Sequence, residues 1–230
     1  MPEKVKRPGG KVRRKQIIEA ATEEFGKKNY HWATTKEIAD RAGVSERTVF
    51  FYFNNKKELY KNVFEQAFND FMQAVMRANP PMDDFRTFFK MTGRNLISFI
   101  HENPVKVKLL MQGIDVMEDP ELKEDFMKMM DAYYKFVHSF VELAQQRGEI
   151  SKDASLDAVG VLMAGVYVIA IYAEILNLDW FRAPEHDEID GIVDYFIDNI
   201  TGAEVKPMSP AARKDAAKLR NEIKMKGGLN

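Results

Sequence analysis

The sequence predicts an all-α protein, a short N-terminal helix-turn-helix head followed by a C-terminal helical bundle. Three observations carry this. Apolar residues recur at three- and four-residue spacing along the chain, and no stretch alternates with period two for long enough to argue a sheet. Helix starts and stops are explicit, at Thr34 with Glu37, Ser45, Asn55, Asn103-Pro104, Asp119-Pro120 and Gly148. The charge is also split. Residues 1–61 hold 15 Lys and Arg against 8 Asp and Glu, a local +7 in a chain of net charge −1. Residues 207–230 carry 6 basic and 2 acidic residues, or +4, so the middle holds −12. A basic head on an acidic body suits a protein that touches a polyanion with one end.

Composition narrows the function. With 230 residues, 45% of them hydrophobic, the chain can bury a sizeable core. It has no cysteine, so it can form neither a disulfide framework nor a thiolate metal site. Residues 3–14 are charged and contain no apolar signal core, which makes the cytoplasm the expected location. His31, His101, His138 and His186 are scattered, and His186 beside Asp187 and Glu188 reads as helix-start charge. There is no phosphate-cradling glycine loop, nucleophile elbow or Cys/His pair. No catalytic residue, metal or cofactor is therefore expected.

Residues 1–10, with Pro2, Pro8 and Gly9-Gly10, read as a disordered basic arm. A first helix is expected over about 12–28, with Ile17, Ala21 and Phe25 on one face. Thr34 and Glu37 then form a capping box. Ile38, Ala39 and Ala42 give the next helix an apolar face, and Gly43 lets the chain leave it. Ser45 caps a second helix from Glu46. On it Val49 and Phe53 share a buried side, leaving Glu46, Arg47, Thr48, Phe50, Phe51 and Tyr52 largely outside. A short helix that exposes aromatics beside an arginine fits the major groove. Arg can fork onto guanine, Thr can bond a phosphate or base, and an apolar ring can touch a thymine methyl.

The stretch resembles the helix-turn-helix of the tetracycline-repressor (TetR) family of transcription regulators. The resemblance rests on Thr34, Ile38-Ala39, Ala42 to Ser45, Thr48 to Phe50, Tyr52-Phe53 and Lys56 to Leu59, and upstream on Ile17, Ala20-Ala21, Phe25 and Tyr30. It covers residues 11–62; the rest matches only in layout. Asn29 stands where the family usually has Gly, and Asn is the next-best residue for a left-handed turn. The resemblance implies that Glu46, Arg47, Phe50 and Phe51 face bases. It implies that Thr48, Tyr52, Lys56 and the cap at Thr34-Thr35 hold phosphates, with Ser45 opening the recognition helix. Arg47 replaces a common Gly or Pro, and Phe50 a common Tyr. Double-stranded operator DNA is the implied partner.

Asn55, with Glu58 three residues on, opens a linker helix expected over 55–78. Its stripe is Leu59, Val63, Phe64, Phe68, Phe71 and Val75, and Pro80-Pro81 end it. The body is assigned to 63–206, with helices at about 83–101, 104–112, 120–147, 155–177 and 185–200. Residues 158–173 contain no charge, yet this run is shorter than the roughly 20 residues that a membrane span needs. A helix apolar all round is buried on both sides. A homodimer through 155–177 and 185–200 is therefore expected, which is also the layout the resemblance implies, and no membrane partner is. The tail 207–230 reads as a solvated helix or as disorder.

Phe88, Phe89, Thr92 and Leu96 of the 83–101 helix, with Met111, Met130, Tyr133, Tyr134 and Val137, read on spacing alone as core. The resemblance implies an effector pocket among these helices. Met163 joins the candidate lining, and Thr92, Asn95, Tyr133, Tyr134 and Tyr167 are candidate polar anchors. Met and Phe walls suit a flexible, small apolar effector. The expected protein is a ligand-responsive regulator, a repressor released by its effector. The alternatives are a DNA-binding dimer with no effector and a helical lipid carrier.

Overall fold

The computed structural model describes residues 9–176 and 185–200, apart from the side chains of residues 114, 115, 162–164, 166, 167, 170, 174, 186, 187 and 200. Among them the chain forms α1 (Gly10–Trp32), α2 (Thr35–Arg41), α3 (Glu46–Tyr52), α4 (Lys56–Val75), α5 (Phe85–Glu102), α6 (Pro104–Met111), α7 (Pro120–Arg147), α8 (Leu156–Leu176) and α9 (His186–Ile200). A short 3-10 helix, Gln112–Val116, joins α6 to α7. No strand occurs among the described residues, and the all-α expectation holds. The expectations for residues 1–8 and for the tail 207–230 lie outside the described residues.

Most boundaries follow from local caps. Asp84 accepts from Thr87 N–H at the start of α5, and Asp119 accepts from Glu121 and Leu122 N–H at the start of α7. Gly148 ends α7 in the left-handed region at φ 77°. Asn29 interrupts α1 at φ 57°, where the sequence places a left-handed turn. Its Oδ1 accepts from the N–H of His31 and Trp32.

α1 runs from Gly10, assigned from sequence to the disordered arm, to Trp32 rather than over about 12–28, and α4 differs from expectation at its end and in its cap. α4 stops at Val75 rather than near Ala78, and Ala78 and Asn79 take φ 65° and 46° before the prolines are reached. The cause is distant in sequence. Asn95 of α5 donates its amide to the carbonyls of Val75 and Arg77, satisfying acceptors that another helical turn would have used. The carboxylate of Glu58 also reaches back one residue further than a capping box requires, to Asn54 rather than Asn55.

Apolar side chains form two clusters that α4 bridges. Ile17, Ala21 and Phe25 of α1, Ile38 of α2, Val49 of α3 and Phe53 surround Leu59, Tyr60 and Val63. This cluster continues into the body through Leu109, Val116 and Leu122. The second cluster joins Phe85, Phe88, Leu96 and Ile100 of α5 with Phe140 and Val141 of α7 and Ile189, Val193 and Ile197 of α9. Outside it, Arg86, Lys90 and Arg94 of α5 pair with Asp194, Asp198 and Asp190 of α9.

α8 and α9 keep apolar residues on the outside as well. Val161 is 70% exposed and Tyr195 75%, with Ile169, Tyr172, Leu176 and Ile192 also exposed. Val159, Ala173, Ile189, Val193 and Ile197 are buried in the chain's own core. No helix among the described residues is long and apolar enough to cross a membrane.

The head meets the body most tightly where α1 crosses α6. A Cβ added at Gly26 would lie 2.6 Å from Val105 Cγ1 and 2.7 Å from the Val105 carbonyl oxygen. Backbone cannot yield as a side-chain tip can. Gly26→Ala should therefore destabilise the protein by about 2 kcal/mol despite its better helix propensity. The check is thermal or urea unfolding beside a control Gly10→Ala.

Candidate nucleic-acid interface

Each interface residue is fixed by a cap or by the core behind it. Thr34 forms the reciprocal box. Its hydroxyl accepts from Glu37 N–H, and the Glu37 carboxylate accepts from Thr34 N–H at 3.1 Å. Gly43 turns the chain at φ 65°. Ser45 caps α3 by accepting from Thr48 N–H, and the Ser45 and Thr48 hydroxyls are 2.8 Å apart. Val49 and Phe53 anchor α3 beneath, both 1% exposed. Glu24, buried in α1, ties α2 to α1 by accepting from Arg41 Nε at 2.6 Å and pairing with Lys28.

The opposite face of α3 looks outward. Glu46, Arg47 and Phe50 are exposed, and Phe51 is 81% exposed. Tyr52 and Thr48 are half-buried, with the Tyr52 ring edge-on to Phe51. The Thr35 hydroxyl donates to Glu46, linking the starts of α2 and α3. Lys56 Nζ donates to the His31 carbonyl and sits 4.7 Å from the centre of the Tyr30 ring. Partial burial lowers its pKa. The structure thus places the predicted DNA-facing residues at the starts of α2 and α4 and along α3. Several of them already have internal partners: Thr34 with Glu37, Thr35 with Glu46, Ser45 with Thr48, and Lys56 with the His31 carbonyl.

The predicted effector residues scatter. Phe88, Phe89, Leu96 and Val137 are core, with the Phe88 and Phe140 rings 4.1 Å apart. The Thr92 hydroxyl bonds the Phe88 carbonyl, and Asn95 closes α4. Tyr134 is exposed and donates to Asp157. Met111 and Met130 are half-buried. The side chains of Met163 and Tyr167 lie outside the described residues.

A cleft of about 840 Å³ opens instead between α4 and α7, and of the predicted residues it uses Tyr133. Its lining includes Phe64, Phe68 and Met72 of α4 and Phe126, Met129 and Phe136 of α7. Burial raises the Tyr133 pKa. The signal for the cleft was the length of α4's apolar stripe, which runs past what the head core needs. Among the described residues no group of three or more His, Asp or Glu side chains could hold a metal.

Two short helices in a fixed turn, the second presenting Arg and aromatics outward from a basic head, define a helix-turn-helix DNA-binding protein. Residues 17–63 match the family model for bacterial regulatory proteins of the tetR family. The chain is 28% identical over 159 residues to the transcriptional activator FasR of Mycolicibacterium smegmatis, covering 69% of this chain and 68% of that one. It is 23% identical to the transcriptional regulator TtgR of Pseudomonas putida, covering 87% and 94%. A TetR-like regulator from Rhodococcus superposes with a TM-score of 0.67 at 15% identity, over 85% of this chain and all of that one. The regulator FadR of Bacillus subtilis, solved with stearoyl-CoA, superposes at 0.63 and 16% identity, over 82% and 97%. Residues 17–63 thus form a tetR-type DNA-binding head, and the chain as a whole has the fold of the TetR-like regulators.

Glu37 makes the head's stability pH-dependent. Its hydrogen bond from Lys28, followed by those from Thr34, lowers its pKa from the ordinary 4.5 to about 2. Stability from its ionisation is complete above the ordinary value and lost as pH falls towards the lowered one. The gap in melting temperature between wild type and Glu37→Gln should be full above about pH 5 and close on acidification towards about pH 2. Thermal melts across that range check it.

Proposed function

We propose that the chain is a homodimeric repressor that reads a two-fold operator with paired α3 helices and is released by a small apolar effector bound between α4 and α7. Residues 11–62 form the reading head and residues 63–206 the effector-binding and dimerising body. The observation that carries this reading is the α4–α7 cleft. It lies on the helix whose first turn holds Lys56 and packs the helix-turn-helix from behind. Its Met- and Phe-rich floor suits a flexible apolar chain, and the FadR complex gives acyl compounds as the first class to try. The exposed apolar face of α8 and α9 supports dimerisation through these helices. The place of action is the cytoplasm, where the chromosomal operator lies.

On α3, Glu46, Arg47, Phe50 and Phe51 read bases, and Ser45 sets the helix end in the groove. Thr34, Thr35, Thr48, Tyr52 and Lys56 hold phosphates, which requires the Thr35 hydroxyl to leave Glu46 on binding. Arg47→Ala should cost about 1–3 kcal/mol on the preferred duplex and far less on random DNA. Lys56→Ala should weaken both about equally and flatten the salt dependence. Fluorescence anisotropy on the two duplexes checks both; equal losses for Arg47→Ala would count against base reading.

The switch is a tilt of α4. Lys57 pairs with Asp119 at 2.7 Å and with Glu121, and Lys61 with Glu121 and with Asp125 at 2.7 Å, so one edge of the cleft is an ion-paired catch between α4 and α7. An effector that prefers the wider cleft strains this catch and turns the head, by no more than its differential affinity for the two states. Met129→Trp, which fills the cleft, should leave operator affinity within about threefold of wild type and abolish release by long-chain acyl compounds. If no such compound releases wild-type protein or raises its melting temperature, the chain is instead a DNA-binding dimer without an effector of this class.

A further inference from the structure

We propose that Trp32 is a DNA-backbone contact, seated against the sugar-phosphate strand beside the recognition helix. Trp32 is 75% exposed, in a head whose other large aromatics are packed inside or lie on α3. A tryptophan is a costly residue to leave in water, and exposed tryptophans concentrate at interfaces because the ring supplies area and the indole N–H a donor.

Its position selects the partner. Trp32 ends α1, two residues before the Thr34 cap of α2. The preceding carbonyl, of His31, accepts from Lys56 Nζ in the first turn of α4. The indole is therefore carried on the segment that runs from the Lys56 ammonium in the first turn of α4 to the Thr34 cap of α2, on the basic side of the head. A protein partner would have to bind across those same phosphate-holding groups.

The backbone that carries the ring is already rigid. Asn29 Oδ1 accepts from Trp32 N–H at 3.4 Å and from His31 N–H at 3.1 Å. Ala33 N–H donates to the Asn29 carbonyl, and the Ala33 side chain is fully buried. Little backbone freedom is lost on contact, so the ring's burial and one N–H bond to a phosphate oxygen contribute to affinity nearly undiminished. A backbone contact carries no sequence information, so Trp32 should add affinity on every duplex alike.

The chain has two tryptophans, Trp32 and Trp180, so a Trp180→Phe background makes Trp32 the sole indole. Saturating this protein with a random-sequence duplex at low salt should cut acrylamide quenching of the indole several-fold. Trp32→Ala should lose about tenfold in affinity on random and preferred duplexes equally, with Trp32→Phe in between. Unchanged quenching on saturation with DNA overturns the proposal even if Trp32→Ala binds weakly, since the loss is then structural. Protection from quenching together with wild-type affinity of Trp32→Ala overturns it as well. If Trp32→Ala does not fold, the quenching result on the unmutated residue decides. Binding of the unsubstituted protein to the same duplexes tests the DNA-reading assignment separately.

Discussion

The head cannot be assembled without α4. Leu59, Tyr60 and Val63 are buried among residues of α1, α2 and α3, and the same helix carries Phe71, Ala74 and Val75 into the body core. The rings of Phe25 and Tyr30 both meet Tyr60, at 5.1 and 4.9 Å, and Tyr60 meets Phe64 at 5.9 Å, a continuous aromatic contact from α1 down α4. A short helix-turn-helix buries too little apolar surface to be stable alone. It obtains the remainder from a helix that belongs equally to the body, so any change in the angle of that helix reaches the DNA-reading face.

How far the sequence could be read depended on how local each cause was. The box at Thr34 and Glu37, the turn at Gly43, the cap at Ser45 and the left-handed Asn29 are each decided within a few residues, and all are found where the sequence puts them. The early end of α4 was not legible, because the side chain responsible, Asn95, lies 20 residues on. That the predicted effector residues do not converge on one cavity has a related reason. Spacing shows that Phe88, Thr92 and Leu96 share a face but not what that face meets. Packing against α7 and α9 makes it core, and the Thr92 hydroxyl, read as a ligand anchor, is spent on the Phe88 carbonyl. The cleft forms where α4 and α7 diverge; the length of α4's apolar stripe shows that it has a further apolar partner, but the divergence is a property of two helix axes that no stripe encodes.

Trp32 was missed for another reason. Sequence templates reward apolar residues that fit a periodic stripe, and a single aromatic between a helix end and a cap fits none. It becomes visible only once exposure is known and its neighbours, Lys56 and the Thr34 cap, are placed beside it.

The two contacts between head and body differ in kind, and the difference gives the switch its direction. On the α6 side the contact is close and unyielding: Gly26 lies against Val105, and Gln112 Nε2 donates to the Gly26 carbonyl. On the α7 side long lysines reach across to carboxylates in solvent-accessible pairs, which contribute little and are weakened by salt. Separating α4 from α7 therefore costs little, whereas sliding α1 over α6 meets backbone. On the proposed reading, a ligand entering the cleft moves α7 relative to a unit made of α1, α4 and α6. If α7 is held by the dimer through α8, as the exposed apolar face of that helix suggests, the reading heads are what must turn.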